Sequence, residues 1–491
     1  MANIDINLGL ATINAFNAHG AGAGTVSMAD TVDLLFKASY NFGTSHANYT
    51  AGLFSGDGLR LNFQDGAYSQ YSGVVLANPN ATTGEATATS LESNQPSAYR
   101  LNVDGHMNYH YSSSANGSFI LQNTGGTIND VSIQTQLPTS SPSYDATLGN
   151  VNLGLHGAVT MSQSGNISGS ITSLTTGADM LVTSSALTGN FSVNGNVNSI
   201  GQDLSSASVS GIADSFVEYY TDGSSVSLTN LALAINSNTV VSEKLLFDGA
   251  NLPSSDIVNI TLGGNLAAPW AVATGAGNDK VMIKGGGATL SVNAGTGNDT
   301  ITLGDDGHSV DGGAGIDTAV FNGARSAYTV TKTATGYSVQ ASGGTDTLAG
   351  VERLQFADTT IALDIDGNGG QVYRLYQAAF NRVPDAGGLG FWIHAMDSGA
   401  ALSDIGAEFT KSTEFKNMYG VNPSNADFLD KLYHNVLHRA GDPGGFDFWL
   451  GHLNHNDLSQ AQALAEFGES PENQAALITA IGNGFAYTPY G

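Results

Sequence analysis

The chain has 491 residues, no cysteine, and 42 Asp and Glu residues against 15 Lys and Arg, which gives a formal net charge of −27 at pH 7. Because nucleic acids and anionic membranes bind clustered cations, this balance argues against both classes of partner. A chain without thiols forms no disulfides, so a metal ion is the remaining cross-link for a small repetitive element.

The length suggests about three domains, and residues 1–265 are predicted to be β-rich. This region forms one unit or two, at about 1–150 and 151–265, and we favour a sandwich-like arrangement over 45–150. Residues 101–243 contain no Lys or Arg. Such a charge-poor stretch, rich in Ser, Thr, Asn and Gly, is typical of surface proteins and fibres.

Local patterns in this region indicate strands. The runs Leu59–Phe63 and Ala67–Tyr71 flank a turn that contains Asp65-Gly66, which predicts a hairpin. From Val151 to Ala213 polar and apolar residues alternate. Either long antiparallel strands or a β-solenoid would satisfy that alternation.

Three Gly-x-Gly-x-Asp stretches recur within residues 266–322. Each matches the core of the nine-residue G-G-x-G-x-D-x-U-x unit, which winds a parallel β-roll and holds calcium between turns. Glycine allows the tight turns that aim carbonyl oxygens inward, and Asp adds a hard anionic oxygen of the kind that Ca²⁺ prefers. The predicted metal-site residues are Gly275, Gly277, Asn278, Asp279, Gly295, Gly297, Asn298, Asp299, Gly313, Gly315 and Asp317.

The spacing of these repeats predicts one regular edge and one irregular edge. Asp299 and Asp317 lie 18 residues apart, which is two nine-residue turns, so both fall on the same edge. In the degenerate repeat between the first two loops, Thr289 replaces the Asp. Asp305 and Asp306 offer carboxylates on the opposite edge. We expect two calcium ions on the regular edge and at most one on the other.

With these repeats the chain resembles the RTX proteins, a family with hemolysin-type calcium-binding repeats that bacterial type I secretion exports. The similarity in the repeats covers only about 50 residues. The resemblance implies a calcium-stabilised β-roll. It also implies export through an uncleaved C-terminal segment, which makes the type I secretion machinery an expected partner.

The termini agree with export of that kind. Residues Met1–Asn7 have neither a basic region nor a long apolar run, so no Sec-type signal is predicted. The tail Ala475–Gly491 has no charged residue, which is compatible with a secretion signal. No run of 18 apolar residues occurs, so no membrane-spanning helix is predicted.

A β cap and linker are predicted over residues 323–370. The end of the cap resembles sequence that closes the last turn in RTX-like chains, where an open parallel edge needs cover. Asp364, Asp366 and Asn368 fill positions 1, 3 and 5 of an EF-hand-like loop. The twelfth position is Leu375, so a complete EF-hand is excluded. A partial calcium loop and a plain turn are the alternatives.

Residues 371–491 have a helical period and an internal repeat with an offset of 57 residues. Each copy is predicted to be a helix, a turn and a second helix, whose Phe-Trp pair buries against the partner copy. The repeat resembles a helical domain of unknown function common in RTX and surface-layer proteins. Leu375-Tyr376 aligns with Leu432-Tyr433, Asn381-Arg382 with His438-Arg439, Asp385 with Asp442, Gly387-Gly388 with Gly444-Gly445, and Phe391-Trp392 with Phe448-Trp449.

The sequence offers no catalytic motif. His434 and His438 have the i, i+4 spacing of a zinc site, but Asn435 stands where the H-E-x-x-H motif needs glutamate. The serine-hydrolase motif G-x-S-x-G is absent from the sequence. We therefore predict no catalytic residue and expect a protein that is not an enzyme.

Taken as a whole, the chain is expected to be mainly β with an α-helical C-terminal domain that holds the helical repeat pair. The expected function is that of a secreted calcium-binding protein of the cell surface or extracellular matrix, with a structural, adhesive or self-assembling role. Expected partners are other copies of the chain or cell-surface components. The alternatives are a secreted RTX-type hydrolase with its active site in residues 1–265, and a ligand-binding adhesin or scavenger.

Overall fold

The computed structural model describes much of the chain between residues 49 and 490. Contacts divide the chain into two compact units, residues 1–267 with 272–276, and residues 268–271 with 277–491. The described ranges are 49–55, 58–63, 68–77, 83–95, 99–113, 119–135, 151–162, 164, 166–178, 182–196, 207–220, 225–236, 255–262, 270–285, 289–304 and 306–490.

The first unit is built from antiparallel strands, several of them long. The β-rich prediction for residues 1–265 is confirmed over the described ranges. Its strands are β1 (Tyr49–Ser55), β2 (Gly58–Phe63), β3 (Tyr68–Ser72), β4 (Val75–Leu76), β5 (Thr83–Gln95), β6 (Tyr99–Ser113), β7 (Phe119–Thr135), β8 (Val151–Ser162), β9 (Asn166–Ala178), β10 (Val182–Asn196), β11 (Ala207–Tyr220), β12 (Ser225–Asn236) and β13 (Ile257–Leu262).

Neighbours in sequence are neighbours in this sheet. From β5 to β13 every strand pairs antiparallel with the next. Strand β2 pairs with β3, which confirms the predicted hairpin, and β3 and β4 both pair with β5. The strands after residue 151 are therefore antiparallel rather than a solenoid, and the pairing of β7 with β8 continues the series across residue 150.

One face of this sheet is buried. Where side chains are described, buried residues recur at every second position, as Leu101 and Val103 do in β6, because successive side chains of a strand point to opposite faces. Two tyrosines form part of the packed face, with the rings of Tyr71 and Tyr109 at 5.4 Å in an edge-to-face contact. The alternating polar residues lie on the other face.

The strands of the second unit are short and form parallel and antiparallel ladders. Strand β14 spans the boundary between the two units in the sequence. The strands are β14 (Trp270–Ala273), β15 (Lys280–Gly285), β16 (Leu290–Asn293), β17 (Thr300–Thr302), β18 (Ser309–Asp311), β19 (Thr318–Val320), β20 (Thr329–Lys332), β21 (Tyr337–Gln340), β22 (Thr345–Ala349), β23 (Arg353–Gln355), β24 (Thr360–Ala362) and β25 (Phe485–Tyr487).

The chain alternates between two parallel ladders over residues 277–355, which we call the double ladder. Strands β15, β17, β19 and β23 pair in one ladder, and β16, β18 and β22 pair in the other. Val281, Ile301, Ala319 and Leu354 occupy one register position and are all buried. The double ladder therefore has an apolar interior with small turns at both edges.

Antiparallel strands extend both parts of the double ladder. Strands β20 and β21 form a hairpin that pairs with β22, and β24 pairs with both β23 and β25. Strand β25 belongs to the tail predicted to carry a secretion signal. Thr488, the residue after β25, donates a backbone hydrogen bond to the carbonyl of Ala386 at 3.0 Å, so this tail packs on the helices that precede it in the chain.

Eight α-helices are described in the second unit. They follow the double ladder and its cap, and the helical prediction for the C-terminal part of the chain is confirmed. The helices are α1 (Asn368–Phe380), α2 (Ala386–Asp397), α3 (Leu402–Lys411), α4 (Thr413–Tyr419), α5 (Asn425–Leu437), α6 (Pro443–His455), α7 (Gln460–Gly468) and α8 (Pro471–Ile481).

The eight α-helices follow the 57-residue offset of the predicted internal repeat, and each copy holds four helices where two were predicted. Corresponding helix ends are alike. Asp385 and Asp442 cap α2 and α6 by accepting a backbone N–H three residues on, as N-cap residues do. Asn381 and His438 end α1 and α5 in the left-handed conformation.

The predicted burial of the Phe-Trp pairs between copies is wrong. Trp392 packs on Phe409 of its own copy at 5.5 Å, and Trp449 packs on Phe467 of its own copy at 5.1 Å. The adjoining Phe391 and Phe448 remain 40% and 59% exposed. Successive residues of a helix point about 100° apart, so both members of the pair cannot face one core.

The two copies are joined through a buried ion pair. Arg374 of α1 makes a bidentate pair with Glu469 at the end of α7, at 2.7 and 2.6 Å. Its side chain is only 4% exposed. By contrast, the surface pair of Arg439 with Glu472 within the second copy is more than 40% exposed on both sides.

Replacing Arg374 with methionine should destabilise the helical copies by about 3 kcal/mol, because the pair is desolvated and Glu469 would keep its charge without a partner. Replacing Arg439 with methionine is the matched control and should leave stability close to wild type, since its pair is exposed. Urea unfolding followed by helical circular dichroism measures both changes. Equal losses in the two variants would contradict the difference assigned to burial.

Candidate metal centre

The three Gly-x-Gly-x-Asp loops lie at one edge of the double ladder. Each Asp directly precedes residues that pair in parallel register, and so does Glu352. The side chains of Asp279, Asp299 and Asp317 are at most 1% exposed. We call Asp279, Asp299, Asp317 and Glu352 the acidic column.

The glycines of these loops allow successive turns to approach closely. Gly297 and Gly315 have φ of 124° and 144°, which side chains rarely adopt. A Cβ at Gly297 would overlap the carbonyl oxygen of Gly277, and one at Gly315 would overlap that of Gly297. Gly275, Gly295 and Gly313 also have positive φ. The carbonyl oxygens of the loops are therefore held close to the following turn.

Three carboxylates of the acidic column, those of Asp299, Asp317 and Glu352, accept a hydrogen bond from the turn before them. The backbone N–H of Asp279 donates to Oδ1 of Asp299 at 2.7 Å, and that of Asp299 donates to Oδ1 of Asp317 at 2.8 Å. The N–H of Asp317 donates to Oε2 of Glu352 at 2.8 Å. The second oxygens of Asp299 and Asp317 are buried and have no hydrogen-bond partner in the described part of the chain.

Burial disfavours the charged form of these carboxylates when no cation is bound. Burial raises the pKa of Asp299 to about 7. The hydrogen bond from Asp279 opposes the rise, and the charges of Asp317 and Asp279 add to it. Burial likewise raises the pKa of Asp317 to about 6 and that of Glu352 above its ordinary value. A bound cation would stabilise the charged forms.

The predicted ligands Asn278 and Asn298 take another role. Oδ1 of Asn278 accepts the backbone N–H of Asn298 at 2.8 Å, and Oδ1 of Asn298 accepts that of Ile316 at 2.9 Å. These bonds run from turn to turn in the direction opposite to those of the acidic column. The asparagine side chains therefore join the turns to one another.

The donor set at this edge fits a hard cation. The described ranges hold no cluster of three or more His, Cys, Asp or Glu side chains around one metal position. An ion here would therefore take much of its coordination from backbone carbonyls of the glycine loops, with one carboxylate oxygen from each turn. An all-oxygen set of this kind suits Ca²⁺ and does not suit thiolate- or imidazole-seeking metals.

The opposite edge of the double ladder differs from its prediction. Leu290, His308 and Asp346 directly precede or begin the paired strands, so we call them the second column. The register puts Leu290 at the position of the Asp, and the prediction for Thr289 is wrong by one residue. Asp305 lies outside the described residues.

The second column has the same hydrogen-bond pattern as the acidic column. The backbone N–H of Leu290 donates to Nδ1 of His308 at 3.3 Å, and that of His308 donates to Oδ1 of Asp346 at 2.8 Å. Burial raises the pKa of Asp346 to about 6 and lowers the pKa of His308, which the charge of Asp306 partly opposes. Asp306 itself is half-buried in the turn before His308.

In the predicted EF-hand-like loop, both oxygens of Asp364 already have partners. One pairs with the buried Arg353, and the other accepts the backbone N–H of Gly369 at 2.8 Å. Asn368 donates to Asp397 at 2.9 Å, and Asp366 is exposed. The loop therefore starts α1 and pairs with Arg353 of β23.

Sequence reasoning missed Glu352, His308 and Asp346. Glu352 enters the acidic column 35 residues after Asp317 because β20 and β21 are inserted between them. A usable signal was present, since Glu352 stands directly before the apolar alternation of Leu354 and Phe356. Asp299 and Asp317 likewise stand directly before the alternating apolar residues of β17 and β19.

Comparison with known proteins gives one match. A family described as a domain of unknown function, DUF4214, matches residues 406–477, which run from α3 in the first copy to α8 in the second. No curated protein and no solved structure matches the chain. Among the helices of the described ranges, none is long and apolar enough to cross a membrane.

In a chelator, the melting temperature of the double ladder should fall as the pH rises from 4 to 8. Asp299 and Asp317 have raised pKa values in the folded state, so their contribution to stability is full below pH 4 and is lost as the pH rises through 6 and 7. His308 acts in the opposite sense because its pKa is lowered. Scanning calorimetry at each pH measures the trend.

The double variant D299N/D317N separates the contribution of the acidic column to this pH dependence from those of His308 and Asp346. Its melting temperature should depend less on pH than that of the wild type, because the two groups no longer titrate. A wild-type melting temperature that rises over this range, or a variant with an unchanged pH dependence, would contradict the assignment.

Proposed function

We propose that this protein is a secreted calcium-binding protein of the cell surface or extracellular matrix, and that its double ladder is a calcium-dependent β-roll. The observation that carries the proposal is the acidic column. The second carboxylate oxygens of Asp299 and Asp317, which are buried and have no hydrogen-bond partner among the described residues, stand next to glycine loops with carbonyl oxygens close by. Such groups are costly to bury as anions unless a cation neutralises them.

The ions would sit at the regular edge, between successive loops. Gly277, Gly295 and Gly297 would offer carbonyl oxygens, and Asp299 and Asp317 would offer carboxylate oxygens. Bound calcium supplies the positive charge that the column lacks. The chain itself sets the spacing, through the turn-to-turn bonds of the two asparagines.

Calcium would then decide whether the segment folds. Where calcium is scarce, repulsion along the column opposes closure of the turns. At a calcium concentration 100 times Kd, binding adds about 2.7 kcal/mol of stability, which is a large part of the margin of a small domain. Folding would follow export from the cell, where the type I secretion machinery is the proposed partner.

The structural or adhesive part of the proposal rests on the first unit. Its strands reach 17 residues in β7, and its composition is poor in charge and rich in small polar residues. Sheets of this kind offer broad polar faces for contact with other copies or with matrix components. No catalytic residue is assigned, and the protein is proposed not to be an enzyme.

Calcium should raise the melting temperature of the wild type, and D317N should lose most of that gain. The reason is that Asp317 contributes a charged oxygen beside the neighbouring turn, which an amide replaces only weakly. D447N, at an exposed position of α6, is the control with the same change of charge. Scanning calorimetry with calcium and with chelator measures both.

An equal calcium response in D317N and in the wild type would contradict the assignment of the ion to the acidic column. A wild type that does not respond to calcium at all would contradict the calcium proposal itself. Magnesium at the same concentration controls for screening of the large negative charge, since Mg²⁺ demands a smaller octahedral site.

If the protein assembles, calcium should also change its particle size. The full-length protein is expected to form extended or sheet-like particles after calcium is added and to disperse in chelator, because a folded roll presents ordered edges and faces. Negative-stain electron microscopy and light scattering measure this. Monodisperse particles in both conditions would contradict the self-assembling role and leave calcium binding to be judged by the melting experiment.

A further inference from the structure

The two edges of the double ladder use the same backbone bond with different acceptors. In the acidic column, the N–H of each turn donates to a carboxylate of the next turn at 2.7 or 2.8 Å. In the second column, the equivalent N–H of Leu290 donates to the imidazole of His308. Both pairs of residues, Asp299 with Asp317 and Leu290 with His308, are 18 positions apart. His308 is therefore the counterpart of an acidic-column Asp.

The hydrogen bond assigns the tautomer of His308. Since Nδ1 accepts the N–H of Leu290, it carries no proton, and the proton of the neutral ring is on Nε2. Nε2 is buried and has no hydrogen-bond partner in the part of the chain that the structure describes. A metal ion on Nε2 would require that proton to move to Nδ1, where it would face the N–H of Leu290. The ring is thus a neutral acceptor and a poor metal ligand in this arrangement.

The second column also lacks the repulsion that an ion would relieve. It holds one buried carboxylate, Asp346, next to a neutral His308 and an apolar Leu290. The acidic column holds four carboxylates in succession. Successive buried carboxylates are therefore a property of the acidic column and not of the second column.

We propose that His308 takes the place of an ion-bound aspartate, so that the second edge closes without metal and calcium controls the first edge alone. This inference rests on the proposed calcium function and adds that the ion-dependent edge is only one of two. It also lowers the expected number of ions, because the turn before His308 would hold none. The ion-free edge would keep β16, β18 and β22 paired while the acidic column is still open.

The substitution H308D tests this inference in the full-length protein. It places an Asp directly before Asp346 in the column, which is the arrangement of Asp299 and Asp317. In chelator its melting temperature should fall by about 4 °C or more below that of H308N. Calorimetric titration should find about one more calcium ion per chain than in H308N. The control H308N keeps a neutral acceptor and should bind as many ions as the wild type.

A second variant guards against a failure of H308D to fold. D346N removes the only carboxylate of the second column, and it should leave the number of bound calcium ions unchanged, whereas D317N should reduce it. The inference is overturned if H308N or D346N loses an ion, or if H308D equals H308N in both measurements.

Failure of the calcium proposal would give a different set of results from failure of the inference about His308. In that case the wild type binds no calcium, while the comparison of H308D with H308N in chelator still reports on the second edge. A lower melting temperature of H308D there would support the role of His308 as a neutral acceptor. Equal melting temperatures would refute it.

Discussion

The buried carboxylates at one edge of the double ladder are the constraint on which this part of the protein depends. Strands β17, β18 and β19 have three residues each, so each contributes few ladder hydrogen bonds. Because the strands contribute so few hydrogen bonds, we propose that the electrostatic free energy of Asp299 and Asp317 decides whether the turns close. The proposed calcium ions would lower this electrostatic free energy by neutralising the two carboxylates.

The acidic column is also connected to the helices. Glu352 ends the column, and the next residue, Arg353, pairs with Asp364 in the loop before α1 and with Asp397 at the end of α2. Strand β25, from the C-terminal tail, completes the same cap. The edge of β23 is therefore covered by β24, so it is not open to pairing with another chain.

Much of the candidate site could be predicted because its signals are local. The Gly-x-Gly-x-Asp loops contain both the backbone conformation and the carboxylate, so Asp279, Asp299 and Asp317 were found from sequence. Glu352 and Asp346 could not be, since they enter their columns after an insertion and only strand register brings them there. The prediction placed Thr289 instead of Leu290 at the position of the Asp for the same reason, because strand register sets that position. The exposure of Phe391 and Phe448 depends on which surfaces the helical copies present to each other, and a repeat in sequence does not specify that.

The most direct test of this account is a crystal structure of the full-length protein grown with calcium, with anomalous diffraction used to locate the ions. Calcium is expected between the loops of Asp299 and Asp317, with carboxylate and carbonyl oxygens at about 2.3–2.6 Å, and no ion is expected beside His308. An acidic column without an ion in saturating calcium would contradict it.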